Sequence, residues 1–223
     1  MHLNILLPGR LDYQEALNLQ EKLLLLRQQN EIDDTLILLE HPPVLTLGRR
    51  GEYGNILLPL DILEAQGVKV YEVSRGGDVT YHGPGQIVGY PIINLCNMGK
   101  DIKEFVYKVE EVLIRLLSNE FGIKSYRDEK KYTGVWVGDE KITAIGIAVK
   151  KWVTMHGFAF NVNTDLSHFK WITPCGITDK SVTSVQKILG REIDFVKMNE
   201  FVLKYFCEVF SAQYEIKDWK EFI

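Results

Sequence analysis

Residues 133–149 read TGVWVGDEKITAIGIAV. Gly138-Asp139 separates two runs rich in β-branched and apolar residues, 133–137 and 141–149, and a short glycine-containing turn between two such runs is typical of a tight β-hairpin. A further strand is predicted over 157–162. Because these central strands are not separated by helices, they favour a mixed, largely antiparallel sheet flanked by helices, which is an α+β fold.

The flanking sequence supplies further strands and the helices that cover the sheet. Strands are predicted over residues 3–7, 35–39, 44–47, 68–73 and 86–94. Helices are predicted from Asp12 to near Asn30, from Asp101 to about Glu120, over 184–189, and from Asp194 to about Phe210. There is no internal repeat, low-complexity segment or convincing linker. We therefore predict a single domain over residues 1–223, with its motifs ending near residue 210.

The composition excludes several classes of protein. Lys and Arg number 26 and Asp and Glu number 30, which gives a net charge of −4 and argues against general nucleic-acid binding. The three cysteines lie far apart with no CxxC, so neither a zinc site nor a redox pair is predicted. The amino terminus has no basic segment or cleavage site, and no apolar run is long enough to span a bilayer. These features predict a soluble, cytoplasmic protein.

One cysteine has an unusual local context. Cys175 lies in the tetrapeptide Thr-Pro-Cys-Gly at 173–176. Pro174 fixes its own φ, and Gly176 permits positive φ, so the thiol is predicted at a bend. Cys96 and Cys207 lie in apolar surroundings and are interpreted as packing residues. A thiol at a bend can face a cleft, which makes Cys175 a candidate nucleophile.

A glycine-rich stretch is the second candidate. Residues 75–86 read RGGDVTYHGPGQ. The glycines allow a backbone to approach a ligand closely, but the pattern is neither GxGxxG nor a P-loop, so no dinucleotide or phosphate site is predicted. Such a stretch can be a simple turn between strands. The embedded Arg75, Tyr81 and His82 favour a binding site.

Lys141 and His156 each have two interpretations. Lys141 opens a strand, where it could simply protect the strand end from edge pairing. It could instead lie near a thiol and lower the thiol pKa. His156 could pair with Cys175 as in a thiol hydrolase, or be structural. No two histidines have metal-ligand spacing on a recognisable helix, so no metal site is predicted.

Four stretches together resemble one family. They are RGGxVTYHGPGQ at 75–86, KIxAIG at 141–146, HGFAFNV at 156–162 and PCGI at 174–177. Their identity and order are similar to those of the octanoyltransferases of lipoate biosynthesis, also called lipoate-protein ligase B. The flanking pattern, including residues 45–49, extends the likeness from the amino terminus to about residue 210.

The resemblance implies the fold of the biotin and lipoate protein ligases. It implies transfer of an octanoyl group from acyl carrier protein, through a cysteine thioester, to a lysine of lipoyl domains. The acceptors would be 2-oxoacid dehydrogenase E2 subunits and the glycine cleavage H protein, in the first step of endogenous protein lipoylation. No ATP, metal or other cofactor, no nucleic acid and no membrane are expected.

The resemblance also assigns roles to residues. Cys175 would be the nucleophile, and Lys141 would lower its pKa. The substrate pocket would be lined by Arg75, Gly76, Gly77, Asp78, Val79, Thr80, Tyr81, His82, Ala144, Ile145, Gly146, Gly157, Phe158 and Ala159. The rival interpretations are an ATP-dependent lipoate or biotin ligase on the same fold, a non-catalytic protein that binds carrier or lipoyl domains, and a cysteine hydrolase using His156.

Overall fold

A mixed β-sheet lies at the centre of the computed structural model, which describes residues 1–128, 132–173 and 181–223. The strands are β1 (His2–Arg10), β2 (Asp34–Glu40), β3 (Val44–Leu47), β4 (Lys69–Glu72), β5 (Val79–His82), β6 (Gln86–Ile92), β7 (Tyr126–Arg127), β8 (Gly134–Val137), β9 (Glu140–Lys150), β10 (Val153–Asn161), β11 (Ser181–Val182) and β12 (Gln213–Ile216). The α-helices are α1 (Tyr13–Gln28), α2 (Leu60–Ala65), α3 (Ile102–Phe121), α4 (Val185–Leu189) and α5 (Phe195–Phe210).

The strands form two sheets. The large one has the order β12-β1-β2-β6-β10-β9-β8-β7, with β11 paired to β9, and the small one has the order β4-β3-β5. In the large sheet every pair from β2 through β6, β10, β9 and β8 to β7 is antiparallel, whereas β1 is parallel to both its neighbours and β11 is parallel to β9. The predicted mixed, largely antiparallel α+β fold is confirmed.

Helices cover both faces of the large sheet. On one face α3 and α5 bury Phe105, Val109 and Phe206 in a core shared with the strands, and on the other face α1 buries Leu19 and Leu23. The predicted aspartate caps are present. Side-chain oxygens of Asp12, Asp101 and Asp194 accept amide hydrogen bonds from the first turns of α1, α3 and α5. In residues 1–128, 132–173 and 181–223, no helix is both long and apolar enough to cross a membrane.

Several short elements were not predicted. β5 lies inside the stretch interpreted as a loop, and α2, β7, β11 and β12 have no counterpart among the predicted elements. These elements have two to six residues, which is too short for a hydrophobic period to be recognised. The prediction for Cys96 is wrong, because its side chain is exposed in the short 3₁₀ helix Leu95–Met98, whereas Cys207 packs against the core as expected.

β6 and β10 approach each other unusually closely. A Cβ on Gly157 would overlap the carbonyl oxygen of Gly89 and come within 2.7 Å of Pro91 Cδ. Pro91 has no amide hydrogen to donate to β10. The backbone pairing between β6 and β10 therefore ends at Phe158 and Gly89. The amide of His156 donates a hydrogen bond to Gln20 Oε1 of α1 instead, at 2.9 Å. His156 adopts a positive φ of 57° at this irregularity.

We predict that Gly157→Ala strongly destabilises the protein. The added methyl group meets backbone atoms that cannot rotate away, so the free energy of unfolding should fall by about 2–4 kcal/mol. Gly54→Ala is a matched control, because a Cβ there meets no atom within 4 Å, and its effect should stay within about 0.5 kcal/mol. Denaturant unfolding of both variants measures the difference, and equal stability of the two would contradict this account of the strand crossing.

Candidate active site

A cavity of about 340 Å³ lies between the glycine-rich stretch and the strands β9 and β10. The predicted site residues that line it are Arg75, Gly76, Gly77, Asp78, Val79, Thr80, His82, Lys141, Ala144, Ile145, Gly146, Gly157, Phe158 and Ala159. The three sequence stretches that the structure describes, 75–86, 141–146 and 156–162, therefore converge. Cys175 and the rest of residues 174–180 lie outside the described residues.

Tyr81 is placed elsewhere. Its ring is buried in a separate cluster with Phe169 and Trp171, and its hydroxyl is 2.8 Å from Nδ1 of His168. Strand alternation explains this, because Thr80 and His82 of β5 point to the cavity while Tyr81 points to the opposite face. Tyr81 thus supports the cavity wall from behind.

The glycine-rich stretch docks on β9 through its backbone. The amide of Gly76 donates to the carbonyl oxygen of Ile147 at 3.0 Å. A Cβ on Gly146 would lie 2.8 Å from the Gly76 oxygen, and one on Gly48 would lie 2.5 Å from the Gly77 oxygen. Only glycine permits both approaches, so these positions define how closely the loop covers the sheet.

Arg75 fixes the loop from inside. Its guanidinium is buried, and Nη2 donates to the carbonyl oxygen and Oγ1 of Thr46, at 2.7 and 2.8 Å. Nη1 donates to the carbonyl oxygen of Gly76 at 3.0 Å. One side chain therefore links β3 of the small sheet to the glycine-rich stretch, and it brings a positive charge to the cavity wall.

Asp78 links the cavity to the beginning of the segment 174–180. Its Oδ2 accepts from Asn55 Nδ2 at 2.7 Å, and its Oδ1 accepts from the amide of Val79 at 2.7 Å. The carbonyl oxygen of Asn55 accepts from the amide of Thr173 at 2.8 Å. Thr173, the last described residue before the segment, is therefore linked to Asp78 of the cavity wall by two successive hydrogen bonds through Asn55.

Lys141 lies where the chain resumes after that segment. β11 pairs with β9 at Val182 and Lys141, and the amide of Thr183 donates to the carbonyl oxygen of Lys141 at 3.0 Å. The Lys141 side chain is half-buried in the cavity wall. Its Nζ donates to the Thr133 carbonyl oxygen at 3.3 Å and lies 4.8 Å from the centre of the Trp136 ring. Ser181 and Val182, after the segment 174–180, thus line the cavity, and Thr173, before it, is linked to the cavity residue Asp78 through Asn55.

Three buried histidines lie at or behind the opposite part of the cavity. Desolvation lowers the pKa of His41 to about 4 and the pKa values of His82 and His156 to about 3, with Arg75 contributing to the last two. His41 Nδ1 donates to the carbonyl oxygen of Leu11 at 2.7 Å, so its Nε2 accepts from the Tyr90 hydroxyl at 2.8 Å. All three imidazoles are neutral at pH 7.

The low pKa of His156 bears on the hydrolase interpretation. A general base works best when its pKa is near the working pH, and a group with a pKa of about 3 is a weak proton acceptor. Its Nε2 lies 3.3 Å from Ser74 Oγ. The structure thus favours a structural role for His156 at the strand irregularity.

Some residues of the cavity were not predicted from the sequence. Tyr13 comes from the start of α1, Ile102 and Val106 come from α3, and Trp136 comes from β8. Each was interpreted only as part of a helix or strand. Nothing in the local sequence distinguishes them from core residues, because their place in the cavity follows from how the helices pack on the sheet. In the described part of the chain no group of acidic, histidine or cysteine residues could hold a metal ion.

Comparisons with known proteins agree on a family. The model of the lipoyl protein ligase A/B catalytic domain matches residues 12–207. An octanoyltransferase of Caldicellulosiruptor saccharolyticus is 61% identical over 214 residues, which cover 96% of this chain and 91% of that protein.

Solved structures share the fold. Lipoate-protein ligase A bound with ATP superposes with a TM-score of 0.79 at 16% identity, covering 98% of this chain and 89% of that one. A bi-partite lipoate protein ligase from Thermoplasma acidophilum, from an analysis that includes its E2 lipoyl domain, gives a TM-score of 0.76 at 18% identity, covering 98% and 87%. At such identities the likeness shows the fold alone.

The neutral histidines predict a pH-dependent stability. Their pKa values are lower in the folded protein than in the unfolded chain, so unfolding takes up protons below pH ~6.5. The free energy of unfolding should therefore fall as the pH decreases from about 6.5 toward about 4. His82→Gln should reduce that slope by up to about 1.4 kcal/mol per pH unit.

The control for this prediction is His2→Gln, since the His2 side chain is 45% exposed. An exposed imidazole loses less of its hydration on folding than the buried imidazole of His82, so the comparison isolates the effect of burial. Urea titrations at several pH values give the slopes, and a His82→Gln slope equal to that of the unmodified protein would show that His82 is not held neutral.

Proposed function

The chain belongs to the lipoyl protein ligase A/B catalytic domain family and is an octanoyltransferase, and on this premise we propose which residues perform the transfer. Cys175 accepts the octanoyl group from acyl carrier protein as a thioester and passes it to the lysine of a lipoyl domain. Lys141 lowers the pKa of the thiol and later accepts the proton of the incoming amine. The cytoplasm, a reducing compartment, keeps the thiol available.

One observation carries the proposal: the segment that contains Cys175 resumes at the cavity wall and begins at a residue hydrogen-bonded, through Asn55, to that wall. Thr173 is tied through Asn55 to Asp78, and Val182 is paired with Lys141. Thr173 precedes Cys175 by only two residues in the sequence. This arrangement supports the proposal that the Cys175 thiol reacts with a substrate bound in the cavity, whose wall includes Lys141.

The reaction is balanced without any cofactor. Cys175 gives its proton to Lys141, its thiolate attacks the carbonyl carbon of the donor thioester, and the carrier thiolate leaves with the proton of the Lys141 ammonium, which becomes neutral. The acceptor amine then attacks the acyl-cysteine, loses a proton to neutral Lys141, and expels the thiolate. Thioester exchange is nearly neutral in energy and amide formation is downhill, so the activation is supplied by the donor.

The cavity fits a short saturated chain. Its volume of about 340 Å³ is at the small end of ligand pockets, and α3, β9 and β10 contribute Val106, Ile145 and Phe158 to its lining. Gly146 and Gly157 also line the cavity, but a Cβ at either position would meet the backbone of Gly76 or Gly89. An apolar chain gains by leaving water for such a lining, which supports octanoyl as the transferred group.

The nucleotide requirement separates this proposal from the ligase interpretation. A ligase of the same fold is known bound with ATP, and a ligase activates its acid as an adenylate before transfer. We expect octanoyl transfer from acyl carrier protein to a lipoyl domain to proceed at the same rate with and without ATP. Transfer that occurs only with ATP would favour the ligase, and free octanoate as the main product would favour the hydrolase.

Variants test the two assigned residues. Cys175→Ser should lower transfer by about a thousandfold, because an alcohol is not ionised near neutral pH. Lys141→Ala should lower thiol acylation by about a hundredfold near neutral pH, with partial recovery at higher pH where the thiol ionises unaided. Lys170→Ala, at an exposed lysine next to Phe169 of the cavity lining, is the matched control and should retain full activity.

Octanoyl transfer rates of these three variants and of the unmodified protein, measured over a range of pH, test both assignments. If Cys175→Ser transfers octanoyl at the unmodified rate, then Cys175 does not carry the acyl group. If Lys141→Ala shows the pH profile of Lys170→Ala, then Lys141 does not act on the thiol.

A further inference from the structure

A carboxylate lies on the buried face of α3. Glu110 is 6% exposed, next to the core residues Val109 and Leu113. Burial of a lone carboxylate is costly unless hydrogen bonds or opposite charges compensate it. The proposed reaction does not use Glu110, so the contacts that compensate its burial indicate what it does.

The first contact is with the backbone just before β8. Glu110 Oε1 accepts from the amide of Gly134 at 2.9 Å. Gly134 has φ +133°, a conformation that other residues rarely adopt. The hydrogen bond therefore fixes a peptide that only glycine accommodates easily, at the point where the chain enters the sheet.

That same peptide holds Lys141. The carbonyl oxygen of Thr133, which precedes Gly134, accepts from Lys141 Nζ at 3.3 Å. A Cβ on Gly134 would lie 3.5 Å from Lys141 Cε and 3.6 Å from Cδ, so the lysine stem packs directly on the glycine backbone. One short stretch of backbone is thus held by Glu110 on one side and holds Lys141 on the other.

Two positive charges act on the Glu110 carboxylate, those of Arg127 and Lys141. Arg127 Nε lies 3.5 Å from Glu110 Oε2, but Arg127 also pairs with Glu111 and stacks over the Tyr107 ring. Desolvation raises the pKa of Glu110, while the Gly134 amide and the charges of Arg127 and Lys141 lower it. Other titratable groups on α3 and its neighbouring elements have partners of their own, since Arg115 pairs with Glu111, Glu140 of β9 with Lys187, and Lys204 of α5 with Glu120. Asp128 and Tyr132 lie on the adjoining chain.

We propose that Glu110 is a positioning residue for Lys141: its carboxylate holds the Thr133–Gly134 peptide against the lysine, and its negative charge favours the ammonium form. This inference rests on the proposed role of Lys141 and adds the group that orients it. Glu110 does not contact the acyl group and performs no proton transfer of its own.

Two substitutions separate the hydrogen bond from the charge. Glu110→Gln keeps an oxygen that can accept from Gly134 but removes the charge. Glu110→Ala removes both and leaves the Gly134 amide without its acceptor. Glu104→Gln is the matched control, because it removes the same charge from an exposed position in the first turn of α3, where Glu104 pairs only weakly with Lys108 at 3.7 Å.

The first measurement is the single-turnover rate of Cys175 acylation by saturating octanoyl-acyl carrier protein near neutral pH. We expect Glu110→Ala to be slower by about tenfold or more, because a displaced catalytic group loses much of its effect. Glu110→Gln should stay within about threefold of the unmodified protein. The loss should appear in the rate at saturation and not in the donor concentration that gives half the maximal rate.

The second measurement is the rate of Cys175 alkylation by iodoacetamide as a function of pH. Glu110→Gln removes the charge that favours the Lys141 ammonium, and the ammonium is what promotes ionisation of the thiol, so the Glu110→Gln profile should move to higher pH. The Glu104→Gln profile should coincide with that of the unmodified protein, because water screens an exposed charge. This readout remains available if Glu110→Ala does not fold.

The outcomes of these measurements separate the role of Glu110 from the role of Lys141. Glu110→Ala acylating within twofold of the unmodified protein, or a Glu110→Gln profile that coincides with that of Glu104→Gln, would overturn the inference. If Lys141→Ala also leaves the profile unchanged, the proposed role of Lys141 fails as well. A shift in Lys141→Ala without one in Glu110→Gln removes Glu110 alone.

Discussion

The site depends on the docking of one glycine-rich backbone stretch on one strand. A hydrogen bond from the Gly76 amide to the Ile147 carbonyl oxygen connects the glycine-rich stretch, which lies between β4 and β5 of the small sheet, to β9 of the large sheet. The cavity lies beside this contact. The approach is possible because Gly146 and Gly48 have no side chains, and Arg75 holds the loop in place from within. A larger residue at any of these glycines would separate the sheets and open the cavity to water.

The ionisable side chains around the cavity form two regions with different properties. Around His41, His82 and His156, burial keeps the imidazoles neutral, so this region offers hydrogen bonds without titrating. Around Lys141, the strand β9, the backbone before β8 and the carboxylate of Glu110 meet. Lys141 and Glu110 thus lie close to the place where the chain resumes after the segment containing Cys175.

The sequence alone was sufficient for the long elements and for most of the cavity. The aspartate caps and the apolar periods located α1, α3 and α5, and the Gly138-Asp139 turn located the hairpin of β8 and β9. Local patterns could not show that β5 forms a strand within the glycine-rich stretch, that Tyr81 faces away from the cavity, or that Tyr13 lines it, because tertiary packing decides each of these. The sequence does contain an indication of Glu110, because this acidic residue lies three positions before Leu113, on the apolar face of a predicted helix.

The most direct test of the central claim is the mass of the protein after brief mixing with octanoyl-acyl carrier protein, with no nucleotide and no lipoyl domain. The account predicts a gain of one octanoyl group, mapped by peptide analysis to Cys175, sensitive to hydroxylamine, and lost when a lipoyl domain is added. An unmodified mass while transfer to the lipoyl domain still proceeds, or an octanoyl group found on another residue, would contradict it.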